Sequence, residues 1–255
     1  MIRNSRILVQ IPLVEADLPK LAHSLKQSME SLRGRSNTVV LFFVVFQTSK
    51  PVNLKELSAP DVKIIVTDIK SVSHARNLGI EFAQKNNFDD IIFHDASICY
   101  PPEFLNLASA PRHSDTLNIA RINWGCPATL TKQPSRQRRR PDIFLHSYVW
   151  ATIFPVHLID DLRFNEAIGP GEKTHLKCGE DILFMHAFLE RNCIRWVCIE
   201  PVYVFHPSRP ASLEKQLQYA EGQGAIYRHL LSHPLYPRTK LFAWLFLFWC
   251  NGVRH

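Results

Sequence analysis

Short apolar runs, rich in β-branched and aromatic residues, recur along the first half of the chain, with apolar residues at helical spacing between them. The runs predict strands at 7–11, 39–46, 62–67, 91–93 and 117–122, and Pro12 is expected to end the first of them. The helical repeats predict one helix between Asp17 and Gly34, a second capped by Ser73, and a short third at 102–107. Alternating strands and helices are typical of a doubly wound α/β fold, with a mostly parallel central sheet flanked by helices.

The second half of the chain is less regular. We predict a strand at 144–154, a turn at 169–171, a helix that begins near Gly179, a strand at 196–205 and a long helix at 212–231. The stretch 132–140 lacks apolar side chains suited to a core and carries five basic ones: Lys132, Arg136, Arg138, Arg139 and Arg140. A mobile loop is expected there, and it has three open roles: a lid that contacts phosphate, a membrane-surface patch, or a solvated loop.

The C-terminal segment 241–250 is apolar on every side of a helix. It is shorter than the roughly 20 residues that span a bilayer. Basic residues flank it at Arg238, Lys240 and Arg254. Two interpretations stay open: the segment lies in a membrane interface, or it packs on the domain or on a second copy in a homodimer.

Composition narrows the class of protein. The 255 residues are 46% hydrophobic, enough for one large α/β domain, and the formal net charge is +7. A basic balance favours phosphorylated ligands, an anionic membrane face or nucleic acid, without choosing among them. The six cysteines form no C-x-x-C pair, and no signal peptide is recognised, so reduced thiols in the cytoplasm are expected.

Polar residues follow the predicted strand 91–93 directly. Asp95 and Ser97 lie at its carboxyl end, where open parallel sheets bind their ligands, so Asp95 is placed to hold a metal ion or a substrate hydroxyl. Arg76 lies near the start of a predicted helix, where the backbone favours an anion such as phosphate. The alternatives are that Asp95 and Ser97 cap a turn and that Arg76 is solvated.

Several stretches, taken in order, resemble family 2 glycosyltransferases with the GT-A fold. Residues 7–12, 75–80 and 93–97 resemble the nucleotide-sugar half of that family, and 164–171 and 179–181 resemble its acceptor-side signature. His206, which follows a strand and precedes a long helix, is also similar to the family pattern. The resemblance covers about residues 6–232.

The resemblance implies one GT-A domain at 1–235, with a nucleotide-sugar half at about 1–125, an acceptor half at about 126–235 and a tail at 236–255. It implies an inverting transfer of a sugar from a nucleotide diphosphate sugar to a hydroxyl of a glycan or lipid-linked acceptor. The setting implied is bacterial surface polysaccharide synthesis by a cytoplasmic protein, held peripherally on the inner face of the cytoplasmic membrane.

The resemblance also implies roles for individual residues. The family motif Asp-x-Asp holds Mn²⁺ or Mg²⁺, but this chain reads Asp95-Ala96-Ser97, and a neutral serine is a poor ligand for either ion. Asp95, Ser97 and His206 are the expected metal residues, and the serine leaves open whether an ion is needed. Asp181 is the expected catalytic base, with Glu180 as the alternative. The expected nucleotide-sugar residues are Pro12, Gln47, Asp68, Arg76, Asn77, His94 and Asp95.

Two other functions stay open. A non-catalytic GT-A relative that binds nucleotides would explain the incomplete Asp-x-Asp motif. A nucleic-acid-binding protein would use the arginines at 136–140, but no nucleic-acid module is recognised and no aromatic residues are interleaved with that stretch. We therefore expect no nucleic-acid partner.

Overall fold

A computed structural model describes residues 5–18, 24–33, 38–50, 55–110, 113–125, 135–207, 213–232 and 238–253. Three positions named from the sequence, Gly34, Lys132 and Arg254, lie outside these ranges.

A central sheet of five strands has the order β3-β2-β1-β4-β7. Its strands are β1 (Ser5–Val14), β2 (Thr38–Gln47), β3 (Val62–Thr67), β4 (Asp90–Phe93) and β7 (Phe154–Pro155). The first four are parallel to one another, and β7 adds a short antiparallel edge beside β4. The mixed α/β architecture with a mostly parallel sheet is confirmed.

A second sheet of three strands has the order β5-β8-β6, with β5 parallel and β6 antiparallel to β8. Its strands are β5 (Thr116–Trp124), β6 (Gln137–Arg139) and β8 (Trp196–His206). The loop predicted at 132–140 is therefore wrong at 137–139, and 132–134 lies outside the described residues. An edge strand accommodates polar residues because one of its sides needs no partner strand.

The helices surround these sheets. They are α1 (Ser24–Arg33), α2 (Val72–Lys85), α3 (Asn106–Ser109), α4 (Ile143–His146), α5 (Val156–Ile159), α6 (Glu180–Arg191), α7 (Leu213–Ser232) and α8 (Arg238–Val253). Short 3-10 turns occur at Glu15–Asp17, Lys55–Leu57, Pro102–Leu105 and Val149–Ala151.

The central strands bury both of their faces, as their uninterrupted apolar runs predict. In β1, Leu8 packs into one apolar cluster while Ile7 and Val9 pack into another. In β2, Phe43 and Phe42 divide between the two clusters in the same way. Alternate residues of a strand point to opposite faces, so each strand contributes to two cores, one under each layer of helices.

Three local predictions are corrected by the structure. Pro12 does not end β1, which continues to Val14. The carbonyl of Gln10 accepts a hydrogen bond from the His94 N–H on the β4 side, where pairing stops. Residue 12 lies two positions after residue 10, so the backbone of Pro12 also faces the β4 side. Because β4 has already ended at that level, the missing N–H of Pro12 costs no sheet hydrogen bond.

The cap of α2 is Ser71 rather than Ser73. The Ser71 hydroxyl accepts a hydrogen bond from the His74 N–H at 3.3 Å. The strand predicted at 144–154 is also wrong, because this segment forms α4, a 3-10 turn and then β7. An apolar run cannot distinguish a strand from a buried helical turn.

Helix α8 packs against the domain through part of its surface. Leu241 is buried, and the Trp244 ring lies 5.4 Å from the ring of Phe144. Phe242 and Phe246 remain 61% exposed. No helix in the described part of the chain combines the length and the hydropathy needed to cross a membrane.

Candidate active site

A cleft of about 370 Å³ opens where the two sheets and the helices α2 and α6 meet. Its walls include Pro12 near the end of β1, Asp95 just after β4, and His206 at the end of β8. The carboxyl ends of the strands thus supply one side of the cleft, as expected for an open α/β sheet. The helices supply the other side through Arg76, Glu180 and Asp181.

The ion pair at the floor of this cleft joins Arg76 of α2 to two acids in the first turn of α6. Arg76 Nη1 lies 3.3 Å from Glu180 Oε1, and it also donates a short hydrogen bond to Asp181 Oδ1. Only 4% of the Arg76 side chain is exposed, and its guanidinium lies over the Phe164 ring at 5.1 Å. The arginine is therefore buried against two carboxylates and is not solvated.

Burial raises the pKa of both carboxyl groups. Burial, aided by the charge of Asp181, raises the pKa of Glu180 to about 7, while Arg76 opposes the rise. Burial also raises the pKa of Asp181 above its ordinary value, against the opposing effect of the Arg76 charge. A carboxylate with a raised pKa is a stronger proton acceptor, which suits a general base near neutral pH.

A glycine-rich segment holds these acids in place. Gly169 has φ +104° and lies so close to Glu180 that a Cβ there would come within 2.9 Å of the Glu180 Cδ. Gly179, which begins α6, has φ +107°, and a Cβ there would come within 2.4 Å of Ile226 Cδ1. Both positions favour glycine because of their backbone conformation and their lack of space.

The segment 164–171 docks on the first turns of α2 and so carries Gly169 to the site. The Asn77 side chain exchanges hydrogen bonds with the backbone of Phe164, at 2.8 and 3.0 Å. The Ser73 hydroxyl donates to the Ile168 carbonyl at 2.7 Å. Two motifs that are distant in sequence therefore form one rigid support behind the cleft.

The second candidate group at the cleft contains Asp95, Ser97 and His206. The Ser97 hydroxyl lies 3.2 Å from Asp95 Oδ1 and 3.5 Å from His206 Nε2. His206 Nδ1 lies 2.7 Å from the Pro207 carbonyl, so we assign the proton to Nδ1 and the free lone pair to Nε2. Asp95 also acts electrostatically on Arg76 and Asp181, raising the pKa of each group.

These side chains provide a carboxylate, which both Mn²⁺ and Mg²⁺ prefer, and an imidazole, which suits Mn²⁺ better than Mg²⁺, with a hydroxyl between them. In the described ranges, no group of three or more His, Cys, Asp or Glu side chains has the geometry of a metal site. An ion held by Asp95 and His206 would take its remaining ligands from substrate oxygens and water, and metal binding stays a prediction.

Four residues expected to bind the nucleotide sugar do not appear among the described residues that line this cleft. Gln47 is buried and accepts a hydrogen bond from the Ser71 N–H at 2.6 Å, tying β2 to the start of α2. Asn77 of α2 holds the segment 164–171 through the backbone of Phe164. His94 is fully buried beside Tyr100, and burial lowers its pKa to about 4. Asp68 is exposed on a bend after β3. Their roles in donor binding stay predictions.

An aromatic wall was not predicted from the sequence. Trp150 and Tyr148 line the cleft, and the ring of Trp124 lies 4.9 Å from that of His206 and 5.7 Å from that of Tyr148. Two of these residues come from the segment mistaken for a strand. No local signal in one sequence brings them together, because they meet only where the two sheets join.

The sequence matches no protein-family model and no curated protein. Its fold is similar to crystal structures of S. aureus TarS. For TarS 1-349 in complex with UDP, the TM-score is 0.62 at 16% identity, over 90% of this chain and 67% of that one. For TarS 1-349 in complex with UDP-GlcNAc, the values are 0.59 and 17%, over 91% and 68%.

Against S. aureus TarS itself, the TM-score is 0.58 at 18% identity, and the chain covers only 40% of that protein. At these identities the likeness concerns the fold alone. The GT-A-type glycosyltransferase fold that the sequence motifs predicted is confirmed.

Proposed function

We propose that this chain is a glycosyltransferase that moves a sugar from a nucleotide diphosphate sugar to a hydroxyl of a glycan or lipid-linked acceptor. The observation that carries the proposal is the single cleft in which Asp95 lies with the Arg76–Glu180–Asp181 ion pair. The GT-A fold and the UDP and UDP-GlcNAc bound by S. aureus TarS support the choice of donor.

In the proposed reaction, Asp181 accepts the proton of the acceptor hydroxyl. The hydroxyl oxygen forms a bond to the anomeric carbon, and the bond from that carbon to the diphosphate oxygen breaks with its electron pair. The nucleoside diphosphate leaves, and attack from the face opposite the leaving group inverts the anomeric centre. We choose Asp181 over Glu180 because its side chain is more exposed, 18% against 9%.

Arg76 fixes the position of the base in this scheme. A phosphate contact was expected for Arg76 from the sequence, and that role stays a prediction, but its near-complete burial against two carboxylates favours orientation of Asp181. Asp95 and His206, with Ser97 between them, would hold Mn²⁺ or Mg²⁺. When bound, such an ion neutralises the charge that develops on the leaving diphosphate.

The test compares Asp181→Asn with Asp161→Asn, which alters an exposed acid paired with Arg191. Release of nucleoside diphosphate from a panel of nucleotide sugars is measured with Mn²⁺ and acceptor extracts. We expect Asp181→Asn to slow turnover by about 10²–10⁴-fold, as for the loss of a general base, and Asp161→Asn to leave it unchanged.

Calorimetry with UDP and Mn²⁺ is run on the same variants. If Asp181→Asn binds UDP normally but turns over slowly, the result supports Asp181 as the general base. Normal turnover in that variant would remove Asp181 from the role. UDP binding by the wild type without turnover of any nucleotide sugar would favour the non-catalytic relative.

We further propose that the exposed face of α8 lies on an anionic membrane. The helix has Arg238 and Lys240 in its first turn and no acidic residue, so its charge complements anionic lipid. Phe242 and Phe246 are four positions apart on one face, and Leu241 and Trp244 anchor the helix to the domain. Aromatic and basic residues together are typical of helices that lie in the bilayer interface.

The measurement is flotation with vesicles of phosphatidylglycerol or phosphatidylcholine. We expect binding to the former, lost in Phe242→Asp/Phe246→Asp and retained in Leu217→Asp, which alters an exposed leucine on α7. A wild-type dimer in sedimentation that the double variant splits, without vesicle binding, would show that a second copy covers this face instead.

A further inference from the structure

A second cleft of about 470 Å³ lies beside the first one, between the β5-β8-β6 sheet and α4. Tyr148 and Phe144 line both clefts, so the two share a wall. The rest of the second cleft is lined by apolar, aromatic and basic side chains: Ile119, Ala120, Arg121, Ile122, Trp124, Arg139, Leu145, His146, Ile199 and Tyr203. No function has yet been given to this cleft.

The charged side chains that line the second cleft are basic. The described residues that line it include Arg121 and Arg139 but no carboxylate. His146 adds no charge near neutral pH, because burial lowers its pKa and its Nδ1 accepts the Asp142 N–H at 3.0 Å. A cleft with two guanidinium groups and no acid favours an anionic ligand.

Arg121 retains unused donors. Its Nη2 donates to the Ser135 carbonyl at 2.8 Å, while its buried Nε has no hydrogen-bond partner in the described part of the chain. A buried N–H without a partner is costly, and a ligand oxygen would satisfy it. Two oxygens of one phosphate can accept the two parallel N–H groups that a planar guanidinium presents.

Arg139 differs from its basic neighbours in the same stretch. Arg136 pairs with Glu200 at 3.0 Å. The guanidinium groups of Arg138 and Arg140 both lie over the Trp196 ring, at 4.5 and 4.4 Å from its centre. Arg139 alternates to the other face of β6, is exposed, and has no carboxylate partner among the described residues. It is therefore the arginine of this stretch that is available to a ligand in the cleft.

The aromatic wall gives the cleft a second kind of contact. Tyr203 lines it, and Tyr148 stands between the two clefts with its ring 5.1 Å from that of Trp150. Aromatic faces beside a few fixed polar groups are typical of pockets for small polar molecules such as sugars. A ligand that spans both clefts would pass Tyr148 and reach Asp181.

We propose that the second cleft binds a phosphate group carried by the acceptor, through Arg139 and Arg121, while the acceptor hydroxyl reaches Asp181. This inference rests on the proposed function and adds the chemical class of the acceptor: a sugar bearing a phosphate ester or diphosphate. The phosphate can belong to a water-soluble acceptor or to a lipid-linked one, and the experiment separates the two.

Calorimetry is performed on protein saturated with UDP and Mn²⁺, so that the donor site is filled. The probes are glucose 6-phosphate, glucose and farnesyl diphosphate. We expect glucose 6-phosphate to bind at least tenfold more tightly than glucose, and Arg139→Gln or Arg121→Gln to weaken it about tenfold, as for the loss of one charge-assisted contact. Arg138→Gln is the control, since it removes the same charge outside the cleft, and it should change the affinity less than twofold.

A farnesyl diphosphate affinity tenfold above that of glucose 6-phosphate would indicate a lipid-linked acceptor, and equal affinities a water-soluble one. Equal binding of glucose and glucose 6-phosphate, or equal weakening by Arg138→Gln and Arg139→Gln, would overturn the anion site. Failure of the proposed function is seen separately, as a wild type that binds no UDP and hydrolyses no nucleotide sugar. In that case the second cleft is not an acceptor site, even if phosphate still binds there through the two arginines.

Discussion

Replacing Arg76 with methionine would remove the cation from the floor of the cleft while keeping an unbranched side chain of similar length. The side chains of Arg76, Glu180 and Asp181 are only 4%, 9% and 18% exposed, so the two acids would stay buried without a counter-ion. Breaking a buried ion pair by removing one partner costs about 3–5 kcal/mol. That is a large share of the roughly 5–15 kcal/mol by which domains are stable.

The loss should depend on pH in a defined direction. The pKa of Glu180 is raised from 4.5 to about 7, so the folded state binds more protons than the unfolded state, and stability falls as pH rises between those values. Without Arg76, the pKa of both acids should rise further. We therefore expect the deficit of Arg76→Met to be largest near pH 8 and to shrink near pH 5, where the carboxyl groups take up protons.

Urea unfolding at pH 5 and pH 8 measures this effect. The matched control is Arg33→Met, which breaks a more exposed pair with Asp61 at 2.5 Å and should cost only about 0–1 kcal/mol. The double variant Arg76→Met/Glu180→Gln should recover part of the loss at pH 8. An Arg76→Met deficit that is below 1 kcal/mol at pH 8, or equal at the two pH values, would refute the buried charge balance described here.

Three further outcomes are expected. Glu180→Gln should gain stability relative to wild type as pH rises from about 4.5 to about 7, measured by thermal melts across that range, and parallel melting curves would contradict the raised pKa. The free energy of unfolding of Gly179→Ala should fall by about 2–4 kcal/mol, because residue 179 has φ +107° and its Cβ would meet Ile226. That of Gly224→Ala, which has open space at its Cβ, should rise by up to about 1 kcal/mol. His206→Ala should raise the Mn²⁺ concentration needed for half-maximal UDP binding, and an unchanged Mn²⁺ titration would remove this histidine as a ligand.

Much of the fold could be predicted because its elements are encoded locally. The run at 39–46 has no polar interruption, and the structure buries β2 on both faces. The regular spacing of apolar residues after Ser73, the predicted cap, located α2 to within a turn, and the acids at 180 and 181 marked the start of α6. Such signals depend only on the period of apolar residues and on residues that cap helices.

Other parts were mispredicted where tertiary contacts override local pattern. Arg138, in β6, and Arg140, just after it, place their guanidinium groups over Trp196, a residue far along the chain. The apolar segment from Phe144 forms helical turns, and its Tyr148 packs against Trp124 from a different sheet. Neither partner is visible from the neighbouring sequence.

The sequence by itself determined the order of strands and helices in the first half of the chain, the apolar faces that make the two cores, and the presence of acids at the end of β4 and the start of α6. Only the tertiary structure decided that Arg76 meets Asp181, a residue 105 positions away, and that Gln47 and Asn77 hold the scaffold. Periodicity and capping act within a few residues, whereas a cleft is made by side chains that the chain brings together from distant elements.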